Sequence, residues 1–203
     1  MNLILASTSP YRKILLEKLK IPFTWRSPNV DETPLQGEQP RQLVERLARA
    51  KAQVVGTGIA KAYVIGSDQV ASLDGKILGK PGNYDRAFAQ LKAASGQAVT
   101  FHTGLCLFDT SSNTCHSTVE DFVVTFKSLS DQQIASYLHA EQPYDCAGSF
   151  KSEGLGIMLF SALKGRDPNT LVGLPLIRLS ELFTELGIDL FEHIEMEHCV
   201  LDT

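Results

Sequence analysis

Residues 3–12 read LILASTSPYR, and this stretch decides the fold. An apolar run long enough for a strand ends in three hydroxyl residues, and a proline then begins an amphipathic segment. Ser9 is a favourable N-cap, with Pro10 at the first helical position. We therefore predict a buried strand, a tight turn and a helix. The free N–H groups of the helix start, the helix dipole and Arg12 would suit an anion, although an ordinary capped helix with a surface arginine is the alternative.

The composition is that of an ordinary globular chain. It has 203 residues, 43% of them hydrophobic and 21% charged, and a net charge of −4. We expect one domain, with a core large enough to need no disulfides. The lack of a basic block argues against a nucleic-acid polymer as partner. Because no signal-peptide pattern and no long apolar run occur, we expect a cytoplasmic protein that does not contact a membrane.

Predicted strands and helices alternate along the rest of the chain. Helices are predicted over residues 40–56, 84–94 and 130–138 and in a closing segment up to 186, and strands over 23–27, 62–66, 76–78, 98–108, 118–126 and 157–160. This order favours a mixed α/β sheet with helices on both sides. Residues 1–190 form one domain in this prediction, and 191–203 form a C-terminal tail. The scattered cysteines, Cys106, Cys115, Cys146 and Cys199, are expected to be free thiols.

Charged side chains gather at the predicted loops and strand ends. Asp68 follows a buried strand, and Lys80 follows a hairpin turned by 74–75, so the two can face one site. Loop carboxylates include Asp31, Glu32, Asp145 and Asp167, and lysines include Lys51 and Lys151. Lysines neutralise phosphates, spare carboxylates hold a hard divalent ion, and one carboxylate can deprotonate a water. The pattern favours phosphoryl chemistry, without a P-loop or a dinucleotide-binding motif.

Several segments, taken together, resemble the Maf family of nucleoside triphosphate pyrophosphatases. They are, in order, 3–12, 31–33, 41–52, 66–70 (GSDQV), 79–81, 103–104, 146–154 (CAGSFKSEG) and 167–175 (DPNTLVGLP). The resemblance implies an elongated, two-lobed α/β fold of the inosine-triphosphatase type, with a twisted mixed sheet and a central cleft. It also implies hydrolysis of the bond between the α- and β-phosphates of a nucleotide, with a divalent cation, Mg²⁺ or Mn²⁺, as cofactor.

The resemblance also implies roles for individual residues. Asp68 matches the general base of the family, which activates a water. The phosphate-binding positions of the family are matched by Ser7, Arg12, Lys51 and Lys80. Glu32 matches an acidic position for metal or water, so Glu32 and Asp68 are the predicted metal ligands.

The residues at three further positions predict which nucleobase the substrate carries. Family members that act on dTTP and UTP carry arginine, threonine and glutamine where this chain has Tyr11, Gln69 and Glu153. The chain instead resembles the branch that hydrolyses 7-methyl-GTP. N7-methylation makes guanine cationic, and an aromatic face attracts a cation by about 0.5–2 kcal/mol. Glu153 would accept hydrogen bonds from the N1–H and N2–H₂ edge of guanine.

Two alternatives stay open at this point. One is a dTTP/UTP pyrophosphatase of the same family with altered pocket residues. The other is a non-catalytic nucleotide-binding regulator of septum formation, a role associated with the wider family. In each case we expect a small nucleotide as ligand, and a homodimer is a candidate assembly.

Overall fold

A computed structural model describes residues 1–195, and a single mixed sheet runs through it. The strands are β1 (Leu3–Ala6), β2 (Thr24–Trp25), β3 (Tyr63–Leu73), β4 (Lys76–Leu78), β5 (Ala98–Asp109), β6 (Thr114–Phe126) and β7 (Phe160–Lys164). Their spatial order is β2-β1-β3-β5-β6-β7, with β4 beside the end of β3. β1 runs parallel to β2 and β3, and the other pairs are antiparallel.

Within residues 1–195, six α-helices and three short 3-10 helices accompany the sheet. The α-helices are α1 (Pro10–Glu17), α2 (Pro40–Gly56), α3 (Tyr84–Ala94), α4 (Asp131–Glu141), α5 (Asn169–Val172) and α6 (Leu176–Glu185). The 3-10 helices are Ala147–Ser149, Leu155–Leu159 and Leu190–His193. The mixed α/β architecture predicted from the sequence is confirmed.

The opening unit has the predicted form. β1 is buried along its whole length, with Leu5 facing one side of the sheet and Ile4 the other. The Ser9 hydroxyl accepts a hydrogen bond from the backbone N–H of Arg12 at 3.5 Å, and Pro10 occupies the first turn of α1. A strand that is apolar on both faces has to be covered on both, which is why helices lie on each side.

The helices divide the core into two lobes. In the first lobe, α1 and α6 pack on one face of the sheet around Leu5 and Phe183, and α2 packs on the other face around Ala52. In the second lobe, α3 and α4 cover the far part of the sheet around Phe101 and Phe150. β3 and β5, with 11 and 12 residues, run through both lobes and join them.

Two glycines let α2 lie directly on the sheet. A Cβ added at Gly66 of β3 would stand 2.1 Å from the carbonyl oxygen of Ala48, and one at Gly104 of β5 would stand 2.1 Å from that of Val44. A strand residue with a side chain would push the helix outward, because the atoms in the way belong to the helix backbone. The close contact brings Lys51 of the same helix next to β3.

Adding a methyl group at this contact is expected to destabilise the protein. Gly66→Ala forces a carbon against the α2 backbone, and overpacking of this kind costs about 1–3 kcal/mol. Gly79→Ala is the matched control, since a Cβ there meets nothing within 4 Å. Urea unfolding measures both variants. A Gly66→Ala variant as stable as the wild type would contradict the close approach of helix and strand.

The strand predicted over 157–160 is wrong. Leu155–Leu159 forms a 3-10 helix, and β7 begins at Phe160, where pairing with β6 starts. Ile157 and Met158 are 52% and 66% exposed, whereas Leu159 and Phe160 are buried, so the first half of the apolar run that suggested a strand lies on the surface.

The predicted loop that carries Asp167 contains the start of α5, and the buried Asp167 explains why. Its Oδ1 accepts a hydrogen bond from the Asn169 N–H at 2.8 Å, and its Oδ2 accepts one from the Ile177 N–H at 2.9 Å. One carboxylate therefore fastens the first turns of both α5 and α6. Asp167 supports the fold and does not line the cleft.

Only the start of the predicted tail lies within the described residues. The backbone N–H of Glu195 donates to the carbonyl of Lys20 at 2.8 Å. Residues 196–203, including the predicted free thiol of Cys199, lie outside the described part of the chain. Cys106, Cys115 and Cys146 are free. Across residues 1–195, no helix combines the length and the apolar character that crossing a membrane requires.

Candidate active site

The predicted site residues meet in a cleft of about 640 Å³ between the two lobes. β1 pairs with β3 only as far as Ala6 and Gly66, and beyond that point the chain enters α1 while β3 continues. The cleft opens where these two elements diverge, at the carboxyl end of β1. Its lining includes all nine predicted residues, Ser7, Tyr11, Arg12, Glu32, Lys51, Asp68, Gln69, Lys80 and Glu153.

Lys51 lies between two carboxylates. Its Nζ is 2.7 Å from Asp68 Oδ1 and 2.6 Å from Glu32 Oε1. Lys51 and Asp68 are 5% and 8% exposed, whereas the side chain of Glu32 is 60% exposed. Through these two ion pairs, Lys51 of α2 is linked both to Asp68 of β3 and to Glu32 in the loop before α2. Asp68 lies in the middle of β3 and not beyond a strand end, because β3 continues to its hairpin with β4.

Burial raises the pKa of Asp68 above its ordinary value, and the positive charges of Lys51 and Arg12 oppose that shift without cancelling it. Burial acts in the same direction on Glu32. There, however, the hydrogen bond from Lys51 and the charges of Lys51 and Lys80 prevail and lower the pKa. The two carboxylates differ because Asp68 lies deeper, where desolvation of a charge costs more. A carboxylate with a raised pKa is the better proton acceptor, as a general base requires.

Arg12 is anchored by the far end of the chain. Its Nε donates to the Gly173 carbonyl at 2.9 Å, and the Ser67 hydroxyl lies 2.9 Å from the same oxygen. Arg12 lines the cleft, and within residues 1–195 neither of its Nη groups donates to a protein acceptor, so both are available as donors for an anion. The buried Ser7 accepts a hydrogen bond from the Ser9 N–H at 3.1 Å, which leaves its own O–H free to donate.

The structure also brings Lys80 to the cleft. Lys80 follows β4, is exposed, and has no carboxylate within 4.0 Å among the described residues. It is close enough to Glu32 for its charge to lower the pKa of that carboxylate. Lys80 and Arg12 are thus the cations of the cleft that are not neutralised by direct carboxylate contact in the part of the chain described.

Tyr11 and Glu153 form a second group in the cleft. Burial raises the pKa of Tyr11 to about 12, with smaller contributions from Cys146, Asp145 and Glu153. In the described residues, no lysine, arginine or histidine lies within 4.0 Å of either Asp145 or Glu153. Asp145 was predicted from the sequence as a loop carboxylate but not as a site residue. Its position directly before the CAGS segment was the available signal.

Gln69 is already engaged by the protein. Its Nε2 donates to the Thr103 hydroxyl at 2.9 Å and to the carbonyls of Thr170 and Leu171 at 2.7 and 3.2 Å. The side-chain nitrogen therefore attaches α5 to β3. A role of Gln69 in base selection stays a prediction. Because its amide nitrogen is bonded to the protein, these contacts favour an indirect role, in which Gln69 shapes the wall of the cleft.

Glu32 and Asp68 have the chemistry that Mg²⁺ or Mn²⁺ requires. Each places one oxygen on Lys51, and among residues 1–195 the other oxygen accepts no protein hydrogen bond. Magnesium is commonly held by one or two carboxylates together with substrate phosphates. No group of three His, Cys, Asp or Glu side chains in the described residues could hold a metal ion alone. The two carboxylates therefore fit an ion whose remaining ligands come from the substrate and water.

Curated proteins of several bacteria are similar to this chain over nearly its whole length. A protein of Pseudoalteromonas atlantica is 60% identical over 195 residues, covering 96% of this chain and all of that protein. One of Colwellia psychrerythraea is 56% identical and covers 93% and 94% of the two chains. One of Nitrosococcus oceani is 58% identical, with 92% and 94% covered. Each of the three is named 7-methyl-GTP pyrophosphatase.

Solved structures agree on the fold. A HAM1 protein from Coxiella burnetii superposes with a TM-score of 0.50 at 14% identity, over 91% of this chain and 99% of that one. The Ham1 protein of Staphylococcus aureus gives 0.50 at 10% identity, over 92% and all of the two chains. This likeness confirms the predicted inosine-triphosphatase type of fold. The sequence model of the family described as Maf-like protein matches residues 2–186, and the chain therefore belongs to the Maf family.

Proposed function

We propose that this protein hydrolyses 7-methyl-GTP to 7-methyl-GMP and pyrophosphate. At the coarser level it is a nucleotide pyrophosphatase, a hydrolase acting on acid anhydrides, as its relatives at 56–60% identity are. The observation that carries the proposal is the buried Asp68–Lys51 pair, which lies in the same cleft as the donors of Arg12 and Lys80.

The triphosphate lies at the Arg12 end of the cleft in this proposal. The two Nη groups of Arg12 form a fork suited to phosphate oxygens, and the Ser7 hydroxyl and the helix start add neutral donors. Lys80 approaches from the second lobe. When bound at Glu32 and Asp68, Mg²⁺ or Mn²⁺ would neutralise further phosphate charge and polarise the phosphoryl group.

Asp68 then acts as the general base. It takes a proton from a water whose oxygen forms a bond to phosphorus at the scissile linkage. The bond between this phosphorus and the oxygen that bridges the α- and β-phosphates breaks, and pyrophosphate separates from the nucleoside monophosphate. Lys51 holds the Asp68 carboxylate by its Oδ1, which leaves the two lone pairs of Oδ2 for the water and for the metal ion that Asp68 and Glu32 would hold. The raised pKa that burial imposes on Asp68 strengthens it for this step.

A panel of nucleotides with detection of pyrophosphate tests the proposal. We expect 7-methyl-GTP to be turned over faster than GTP, dTTP and UTP in the presence of Mg²⁺ or Mn²⁺, and turnover to stop with a chelator. A preference for dTTP or UTP would favour the alternative enzyme of the same family. A lack of turnover with every nucleotide, together with measurable binding, would favour the non-catalytic regulator.

The charge of the base is expected to matter as well as its shape. The neutral 7-deaza-7-methyl-GTP has the shape of 7-methyl-GTP without the positive charge. A cation over an aromatic ring gains about 0.5–2 kcal/mol, so the wild type should prefer 7-methyl-GTP by about 2- to 30-fold in kcat/KM. Tyr11→Leu should bring this ratio towards one, and Glu153→Gln should lower turnover of both methylated nucleotides. An unchanged ratio in Tyr11→Leu would remove Tyr11 from base selection.

A further inference from the structure

Two loops border the cleft in the second lobe. Residues 79–82, here the phosphate loop, follow β4 and carry Lys80. Residues 144–153, here the base loop, follow α4 and end in Glu153. The loops touch directly, since the Gly82 N–H donates to the Tyr144 carbonyl at 2.9 Å.

One side chain behind the cleft bonds to both loops. Gln90 of α3 is half-buried and is not among the residues that line the cleft. Its Nε2 donates to the Gly79 carbonyl of the phosphate loop at 3.0 Å. Its Oε1 accepts a hydrogen bond from the Ser149 hydroxyl of the base loop at 2.5 Å. The amide thus uses its donor on one loop and its acceptor on the other.

The base loop is strained where Gln90 holds it. Ser149 is fully buried and has φ +63°, in the left-handed region that residues with a side chain seldom adopt. Gly148 before it has φ +75°. Such a conformation persists only where the surroundings determine it, and the bond to Gln90 supplies that restraint. The far end of the loop is held separately, by a hydrogen bond from the Lys151 N–H to the Tyr137 hydroxyl at 3.1 Å.

We propose that Gln90 is a positioning residue that sets the phosphate loop and the base loop relative to each other, so that Lys80 and Glu153 engage the same nucleotide. This inference rests on the proposed function. Glutamate in place of Gln90 keeps the acceptor but lacks the donor, and methionine lacks the donor and has only a weakly accepting sulfur. The two contacts can therefore be removed separately.

Three variants separate the contacts. Gln90→Met, which removes both, should raise KM for 7-methyl-GTP about tenfold, the size expected for lost hydrogen bonds, and should lower its preference over UTP. Gln90→Glu keeps the acceptor for Ser149 and should raise KM for all nucleotides with the preference retained. Ser149→Ala releases only the base loop and should lower the preference for 7-methyl-GTP over UTP, while KM for UTP, which lacks the guanine edge read by Glu153, stays. Turnover at saturation should change least, because Asp68 and Lys51 lie on β3 and α2.

Gln132→Met is the matched control, since Gln132 is exposed on α4 and makes no such contact. Its kinetics should equal those of the wild type. The inference is overturned if Gln90→Met leaves KM and preference unchanged, or if it shifts only the unfolding midpoint. Failure of the wild type to hydrolyse 7-methyl-GTP would instead contradict the proposed function. In that case, calorimetry can compare the affinities of the wild type and the variants for the same nucleotides without turnover. If Gln90→Met does not fold, Gln90→Glu and Ser149→Ala still test the two contacts.

Discussion

Asp68→Asn is expected to lower kcat for 7-methyl-GTP by about 10²–10⁴-fold, the range that a positioned general base contributes. Asparagine has nearly the same shape, and its Oδ1 still accepts the hydrogen bond from Lys51, so KM should change little. Steady-state kinetics with pyrophosphate detection measure both constants. An interaction that acts only in the transition state lowers kcat and kcat/KM together, and this is the pattern to look for.

Asp85→Asn is the control for this substitution, because Asp85 is exposed in the first turn of α3 and is not among the residues that line the cleft. Its kinetics should match the wild type. Two results would contradict the assignment of the base. Equal activity of Asp68→Asn would mean that another group accepts the proton. A raised KM with unchanged kcat would mean that Asp68 binds the substrate without activating water.

The pH profile gives a second view of the same carboxylate. Protonated Asp68 cannot accept a proton, so kcat/KM should fall as the pH drops through the pKa of Asp68. Burial raises that pKa above the ordinary 3.8, and the fall should therefore begin at a higher pH than for an exposed aspartate. This acid limb should be missing from the residual activity of Asp68→Asn.

Lys51→Met is expected to reduce both activity and stability. It removes the cation between Asp68 and Glu32 and leaves a buried carboxylate without its partner. Breaking a buried ion pair on one side costs about 3–5 kcal/mol, and we expect the lower end because Glu32 is largely exposed to water. The pKa of Asp68 should rise further, since the strongest influence opposing desolvation is gone, so the acid limb of kcat/KM should move to higher pH.

The stability of this variant should depend on pH in a defined direction. A carboxyl whose pKa is higher in the folded state than in the unfolded state binds protons preferentially when folded. The stability lost in Lys51→Met should therefore be smallest in acid and should grow as the pH rises through the folded pKa of Asp68. Urea unfolding at acidic and neutral pH measures this. Lys92→Met, at an exposed pair with Asp131, is the control and should lose little at either pH. A loss that is independent of pH would contradict an uncompensated Asp68.

Local signals in the sequence predicted much of the fold. The Ser9 cap, Pro10 and the apolar run before them act within a few residues, and the opening strand and helix formed as expected. Exposed apolar residues misled the prediction at 157–160, because a sequence does not state which side chains a surface turn leaves in water.

The sequence predicted which residues belong to the site, but not the contacts between them. Glu32 lies in a loop bracketed by prolines, and no spacing rule brings it within 2.6 Å of Lys51. That contact depends on how far α2 stands from the sheet. The two bonds of Gln90 were equally hidden, because they join α3 to loops that are distant along the chain. The family resemblance identified the cleft residues. Only the fold shows which of them contact one another, such as Asp68 and Glu32 through Lys51.

The glycines beneath α2 have a consequence for the conformational entropy of Lys51. A free lysine side chain loses about 2 kcal/mol of rotamer entropy when it is ordered. With α2 lying directly on Gly66 and Gly104, Lys51 is confined between Asp68 and Glu32 as soon as the chain folds. Its ordering is thus completed before any nucleotide arrives. Binding of a triphosphate therefore requires no further loss of side-chain entropy at Lys51.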